Sequence, residues 1–458
     1  MPHSMRAIVC QTPFWPIDFA PLNLAVLVAA LEAVGMETET FDLNLRLNQR
    51  VPLALRSQWL AQTSWWDIDF VESVLAHAGP DLSTLAQRAH PGATIMVWTV
   101  AASSTLFTEQ VLRVLRSPQY DVRAPFAVGG PEIQLSGPGD WMHIADYVGI
   151  GEIEGLAAEL RDITPGLAIQ RSGCTVDLAT MRTPAFGSLP ISAYAHPERI
   201  SYMAGRGCRN RCAYCSEGML HRRLRYRPPE LVGADLLQLW NTWPAPQYIR
   251  FQDSSINSSP ASFQALLDVL DSLGYPWGAN FCGDKCLSEP ATCHRIVRAG
   301  CCFASVGLES ASPRVLAAMH KGTTVDVVTR MIRGLADAGV AVSVNFMAGF
   351  PGETEADHLA SLRWIRSNRS YLHSLKISPT GTNLAHGSPL AKRPGRFGVR
   401  VLDPTKGVWE MADGSGGAPV RRQRARQLYE VAAAEGILVA DPKSYGFCDS
   451  GPFLATLE

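Results

Sequence analysis

Short apolar blocks alternate along most of this chain with longer stretches in which apolar residues recur every three or four positions. Arg6 to Cys10 reads as a strand. Pro21 to Val34 reads as a Leu- and Ala-rich helix that Gly35 ends. Met36 to Leu43 alternates like a second strand, and Ala93 to Val100 is a buried third. Thr105 to Leu115 follows as a helix, Ala124 to Val128 as a strand, Tyr147 to Ile150 as another, and Glu154 to Arg161 opens a further helix. Residues 44–90 break the rhythm and read as an insertion carrying Trp59, Trp65 and Trp66. Tryptophans in a covering helix are more often core than pocket. Strands that alternate with helices predict a parallel, doubly wound sheet, with ligands beyond the carboxyl ends of its strands. Two glycine turns fall at such ends, Gly129-Gly130-Pro131-Glu132 and Gly149-Ile150-Gly151-Glu152.

Residues 164–199 lose the periodicity and read as a linker with a short hairpin. From Ile200 the alternation resumes, with strands expected at 200–205, 247–252, 276–281, 302–307, 340–347 and 372–378. Six such units form a partial (β/α)6 barrel, whose chemistry sits at the carboxyl ends of its strands. After about residue 380 the pattern weakens, apart from a helix over Arg421 to Glu435. The expected class is therefore α/β: a Rossmann-like domain over 1–163, a linker over 164–199, a partial barrel over 200–380 and a C-terminal region over 381–458.

The 458 residues are ample for two or three cores, and 47% hydrophobic content argues against disorder. A formal net charge of −1 gives no global basic field, so no nucleic-acid partner is expected. No apolar run reaches membrane-spanning length, so no membrane partner is expected. Met1 to Met5 lead straight into the first strand without the regions of a secretory signal. The eleven cysteines cluster in the middle of the chain, which suits reduced thiols in a cytoplasm.

The chemistry concentrates in Gly205-Arg206-Gly207-Cys208-Arg209-Asn210-Arg211-Cys212-Ala213-Tyr214-Cys215. It lies in the loop after the first barrel strand. A zinc site would call for a fourth Cys or His at a paired spacing, and none follows. Buried or reactive thiols are the other plain reading. Three thiolates so spaced can also wrap three corners of an iron–sulfur cubane and leave one iron open. Cys301, Cys302 and Cys10 read as small buried hydrophobes on strands. Cys282 and Cys286 fall at the end of the third barrel strand, and Cys448 stands alone.

This motif resembles that of the radical S-adenosyl-L-methionine (radical SAM) superfamily, and the resemblance covers roughly 200 to 380. It implies a [4Fe–4S] cluster on Cys208, Cys212 and Cys215, with SAM chelating the open iron. It implies an adenine contact for Tyr214. Phe251-Gln252-Asp253-Ser254-Ser255 matches the strand end that hydrogen-bonds the SAM amino group, which suggests Asp253 and Ser255. Taken alone, Ser254 and Ser255 read equally well as a turn or cap. Val306-Gly307-Leu308-Glu309-Ser310 matches the segment whose Glu and Ser face the ribose and amino-acid end. Met319-His320-Lys321-Gly322 follows as in many relatives, and no role is assigned to it. Phe346-Met347-Ala348-Gly349-Phe350-Pro351-Gly352-Glu353-Thr354 is similar to the adenine-contacting strand and turn, with Gly349 close to the ligand and Glu353 able to cap a helix.

The N-terminal glycine turns resemble those of the cobalamin-binding domain of one radical SAM subclass, which implies cobalamin near Gly129, Gly130, Gly151 and Glu152. A bare flavodoxin-like module would show similar turns. No Asp-x-His-x-x-Gly is present, and His77, His90 and His143 read as surface residues. The resemblance therefore implies cobalamin held without a histidine on cobalt. It implies a cobalamin-dependent C-methyltransferase acting on an unactivated carbon of a small-molecule or peptide intermediate in secondary metabolism. A flavodoxin- or ferredoxin-type electron donor goes with that chemistry. The same cofactors could serve a rearrangement, cyclisation or ring contraction without net methylation. A zinc-stabilised, non-catalytic binding module is the reading from a different class.

Overall fold

A computed structural model describes residues 5–59, 62–89, 94–163, 166, 169–173, 175–378, 381–403 and 407–439. His90, Ala93 and Cys448 lie outside these. The chain divides into two compact units, Met1–Pro197 and Glu198–Glu458.

The first unit is built on six strands: β1 (Arg6–Gln11), β2 (Glu37–Asp42), β3 (Thr94–Thr99), β4 (Phe126–Gly129), β5 (Tyr147–Ile150) and β6 (Ile169–Ser172). Every pairing is parallel, in the order β2-β1-β3-β4-β5-β6. β1 and β3 read as continuous apolar runs because both of their faces are covered. The edge strands β2 and β6 are polar and partly exposed, which blunts edge-to-edge pairing.

Two expectations change in this unit. Residues 44–90 are not an ornament on the sheet but part of its cover, carrying the helices Leu43–Arg50, Ile68–Leu75 and Gly79–Arg88. Trp59 and Trp65 are fully buried there and meet edge to face at 4.8 Å. Their indole N–H groups donate to Asn44 Oδ1 and Trp59 O at 3.2 and 2.8 Å. The expected hairpin in 164–199 is instead β6, a parallel edge strand in register with β5. Polar residues at its exposed positions hid its periodicity. The chain that follows ties back to the same unit, with Ala185 N donating to Ala25 O and Tyr194 Oη bonding Asp42 at 2.7 Å.

In the second unit β7 (Arg199–Tyr202) leads into a two-residue ribbon, β8 (Gly205–Arg206) against β9 (Arg225–Tyr226). The strands β10 (Tyr248–Phe251), β11 (Trp277–Phe281), β12 (Cys301–Glu309), β13 (Ala341–Phe346) and β14 (Ser374–Ile377) follow. After an antiparallel pair, β15 (Val399–Asp403) and β16 (Val408–Met411), the chain returns as β17 (Leu438–Val439). The sheet order is β17-β14-β13-β12-β11-β10-β7 and all its pairings are parallel. Among the described residues the partial barrel thus has seven strands, one more than the six expected. The last is two residues long and too short to show a period. The C-terminal helix spans Ala418–Ala434. No helix among the described residues is long and apolar enough to cross a membrane.

Candidate active site

The cysteine loop is gripped at both ends by the β8–β9 ribbon. Its glycines allow the ribbon to close. A Cβ on Gly205 would stand 2.9 Å from Arg225 O, and one on Gly207, whose φ is +98°, would stand 2.9 Å from Arg223 O. Arg211 staples the loop from within, donating to Gly218 O at 2.9 Å and Arg222 O at 2.7 Å. Arg209 ties it to the turn after β11 through Asp284 at 2.6 Å and Gly283 O at 3.1 Å. Ala213 is held on both sides, its N–H by Met319 O and its carbonyl by Leu390 N–H, at 2.9 and 2.8 Å. Ser258 Oγ donates to Cys208 Sγ at 3.8 Å. All three thiols are free, with Cys212 buried and Cys208 and Cys215 partly exposed. Burial raises the Cys212 thiol and pushes Cys215 up to about 11, and neighbouring cysteine charge adds to both.

Asp253 lies just beyond β10 and is 2% exposed. Its Oδ2 accepts from Ala204 N–H at 3.0 Å, while Oδ1 is buried with no partner among the described residues. Burial raises this carboxyl to about 7, against the pull of backbone N–H donors from Ala204 and Gly205. The folded value lies above the unfolded value near ~3.9. Its stabilising share is therefore full below the unfolded pKa and is lost as pH rises through about 7. Asp253→Asn keeps the acceptor and removes the titration. Relative to the parent, it is expected to gain roughly 3 kcal/mol of unfolding free energy between about pH 5 and pH 8. Urea unfolding at those two pH values reads this directly, and a constant difference would refute the buried-acid assignment.

Glu309 ends β12 with a left-handed φ of +70°, a conformation uncommon for a residue with a side chain. It does not stand open. Oε1 pairs with Lys321 Nζ at 2.9 Å, and the same ammonium donates to Tyr214 Oη at 3.0 Å. The ion-pair side chains are 10% and 8% exposed. Burial alone would lower the Lys321 pKa, but the charge of Glu309, then that of Cys212, raises it on balance. Gly307 leaves room for the pair, since a Cβ there would stand 2.7 Å from Glu309 Oε1 and 2.8 Å from Lys321 Nζ. Tyr214 is thus fixed at its hydroxyl, and Lys321, to which no motif assigned a role, joins the candidate residues Glu309 and Tyr214.

Other candidates carry internal duties. Ser255 Oγ donates to Asn257 Oδ1 at 2.9 Å and accepts from Cys282 N–H at 3.0 Å, locking the ends of β10 and β11 together. Ser310 is fully buried and accepts from Ser312 N–H at 3.2 Å. Gly349, at φ +69°, has its N–H on Glu353 Oε2 at 2.6 Å, and a Cβ there would stand 2.4 Å from Arg421 Cγ. Glu353 does not cap the helix that follows. Thr354 caps it, in a reciprocal box with Asp357, and Glu353 pairs with Arg424 at 3.1 Å. Arg421 sits against Trp409 at 3.9 Å and bonds its carbonyl at 3.0 Å. No linear motif announced either arginine.

In the first unit the predicted glycines stand at the carboxyl ends of β4 and β5. Gly130 has φ +120°, and a Cβ would meet Val100 O at 2.5 Å. A Cβ on Gly129 would meet Gly149 O at 3.4 Å, and one on Gly151, at φ +125°, would meet Gly173 N at 3.3 Å. The immediate reason for these glycines is packing between neighbouring strand ends, which brings bare backbone to that edge. Glu152 accepts from Val176 N–H at 3.0 Å. The strand order reverses between β1 and β3, where such sheets bind ligands. There Gln11 Nε2 and Trp15 Nε1 are buried donors with no acceptor among the described residues. His143 is exposed and leads into the amino end of β5, on the opposite edge. His77 is half-buried between two helices.

These residues fit the implied groups. The loop presents three free thiols. The Asp253 side chain that binds Ala204 at the loop's entry carries a buried oxygen without a partner among the described residues. The switch point of the first sheet holds buried donors without acceptors among the described residues, which suit an acceptor-rich ligand such as the amide rim of a corrin.

Comparison with known proteins agrees. Residues 202–365 match the model of the radical SAM superfamily. Bacteriochlorophyllide d C-12(1)-methyltransferase of Chlorobaculum tepidum is 28% identical over 228 residues, 48% of this chain and 50% of that protein. The ribosomal protein uS12 methylthiotransferase RimO of Akkermansia muciniphila is 26% identical over 38% of this chain and 44% of its own. The chain therefore spans half or less of these two curated relatives. The fold resembles that of the radical SAM methyltransferase TsrM from Kitasatospora setae, solved with tryptophan substrate and a SAM analogue. The TM-score is 0.70 at 16% identity, over 99% of this chain and 95% of that one. It also resembles the cobalamin-dependent SAM radical enzyme OxsB with aqua-cobalamin, at a TM-score of 0.65 and 12% identity, over 89% and 64% of the two chains. The match to the radical SAM superfamily thus lies within the second unit, over residues 202–365, and takes in the cysteine loop at the end of the first strand of a parallel barrel.

Proposed function

We propose that the chain is a cobalamin-dependent radical SAM enzyme that methylates an unactivated carbon of a small-molecule or peptide intermediate. The observation that carries this reading is the pinned three-thiol loop, at whose entry Ala204 is held by Asp253, in a chain whose first unit is a parallel sheet with glycine turns at its carboxyl edge. When bound, the cluster with SAM and the cobalamin supply one-electron chemistry and a transferable methyl group.

The chain's own residues bind and orient. Cys208, Cys212 and Cys215 hold three corners of the cluster. Asp253 Oδ1 receives the SAM ammonium in a charge-assisted hydrogen bond. Tyr214 lies along the adenine, and Glu309, positioned by Lys321, receives the ribose or amino-acid end. Ser255 and Ser310 fix the strand ends that carry these groups, and the Gly349 turn shapes the adenine edge. In the first unit, the backbone at Gly129, Gly130 and Gly151 and the Glu152 turn form the cobalamin edge. The enzyme works in the cytoplasm with a flavodoxin- or ferredoxin-type donor.

The test is anaerobic reconstitution with iron, sulfide and cobalamin, followed by SAM cleavage and product mass. A gain of one CH2 supports methylation. An unchanged mass would move the reading to a rearrangement, and a colourless protein that leaves SAM intact would refute it. Electron paramagnetic resonance of the bound Co(II) form should show no nitrogen superhyperfine splitting. Such splitting would place a nitrogen ligand on cobalt and overturn the histidine-free reading.

A further inference from the structure

We propose that the outer face of the cysteine loop is the docking surface for an acidic electron-transfer protein. Two segments far apart in sequence build it. Residues 205–227 hold seven arginines and one glutamate, and residues 386–400 hold four Lys or Arg and no acidic residue, in a chain whose total charge is −1. The fold joins them at one backbone position, where Leu390 N–H bonds the carbonyl of Ala213, between Cys212 and Cys215, at 2.8 Å.

Most cations of the first segment are spent holding the loop. Arg209 serves Asp284, Arg211 serves loop carbonyls and Arg227 serves Asp235. Five are not. Arg222, Arg223, Lys392, Arg393 and Arg396 are all exposed, and among the described residues none of their side chains pairs with an acidic group. Arg223 is also close to the first cysteine by structure, since its carbonyl is one of the atoms against which Gly207 packs. Like charges left unpaired side by side repel one another, and an acidic partner relieves that repulsion and is steered to the surface.

The occupant follows from what lies beneath. This inference rests on the proposed function: a cluster on Cys208, Cys212 and Cys215 must gain one electron from outside the chain. Cys208 and Cys215 are partly exposed, so the loop is the short way in. A donor docked here loses one electron and the cluster gains it, with no bond or proton changing place on this chain. An RNA would also meet five cations, but it gives no reason for them to lie on the cysteine loop and on the segment bonded to it.

The full-length reconstituted protein is compared with two charge-reversal variants, Arg222→Glu/Arg223→Glu and Lys392→Glu/Arg393→Glu. An acidic flavodoxin is the probe. Calorimetric titration with oxidised flavodoxin reads docking without any turnover. Each variant should bind at least ten-fold more weakly, and the parent's affinity should fall steeply with salt. Flavodoxin-driven SAM cleavage should show a matching rise in KM for flavodoxin, while dithionite-driven cleavage and the cluster absorbance stay as in the parent. Unchanged flavodoxin affinity in both variants would overturn the proposal. So would equal losses with dithionite, which would place the cations at the cluster or SAM. Selective loss of binding to a short RNA, with flavodoxin affinity intact, would overturn it in favour of a nucleic-acid surface. A parent that binds flavodoxin but cleaves no SAM with dithionite would refute the proposed function and leave the docking surface standing.

Discussion

A Cys212→Ala protein is expected to lose its cluster and all SAM cleavage while keeping its fold. Of the three thiols, Cys212 is the buried one, at the centre of the loop. A cubane held at two corners has no defined open iron, so the geometry that SAM needs is gone. The loop itself does not depend on the sulfur. The β8–β9 ribbon, the Arg211 staple and the backbone bonds at Ala213 all remain. The side chain lost is one small apolar group, worth about 1 kcal/mol of burial. Iron content and visible absorbance should therefore collapse with a near-parental unfolding midpoint. Cys208→Ala and Cys215→Ala should behave alike. A Cys212→Ala protein with full iron and full turnover would end the cluster assignment.

The parts of this fold that could be read in advance are those where one physical signal dominates. Buried parallel strands have both faces covered and so appear as apolar runs, which is why the six strands β7 and β10 to β14 fall within a few residues of their expected places. The cysteine spacing is local, and the structure puts it after the first barrel strand as expected. What was not legible depends on partners distant in the chain. Trp59 and Trp65 read as core residues and are buried, but nothing around them shows that they meet each other edge to face. Nothing around Ile169 shows a strand, because an edge strand needs neither an apolar face nor length. Glu353 matches a capping position, yet Thr354 caps and Glu353 answers Arg424, seventy-one residues away. The reading of Glu309 missed Lys321 for the same reason. Twelve residues and a helix separate them in the chain, while the bulge at the end of β12 turns them face to face.

That pairing changes what a Glu309 substitution measures. Glu309→Ala does not simply remove a SAM contact; it strands the buried ammonium of Lys321. Breaking one side of a buried ion pair costs about 3–5 kcal/mol, because the remaining charge keeps its desolvation penalty without its partner. Lys321→Met and Glu309→Gln should each destabilise the second unit on that scale. The double variant should recover most of the loss, since neither charge is left alone. SAM affinity separates the two roles. Glu309→Gln and the double variant should both bind SAM about ten-fold more weakly, the cost of ~1.4 kcal/mol for a weakened hydrogen bond. If Lys321 only positions Glu309, Lys321→Met should lose less affinity than Glu309→Gln although it loses as much stability. The cluster spectrum should be unchanged in all three, because neither residue ligates iron. Chemical unfolding and SAM titration of the four proteins complete the cycle. Additive stability losses would show that the two side chains are not coupled. Parental SAM affinity in the stable double variant would remove Glu309 from the SAM site while leaving Cys208, Cys212 and Cys215 in place.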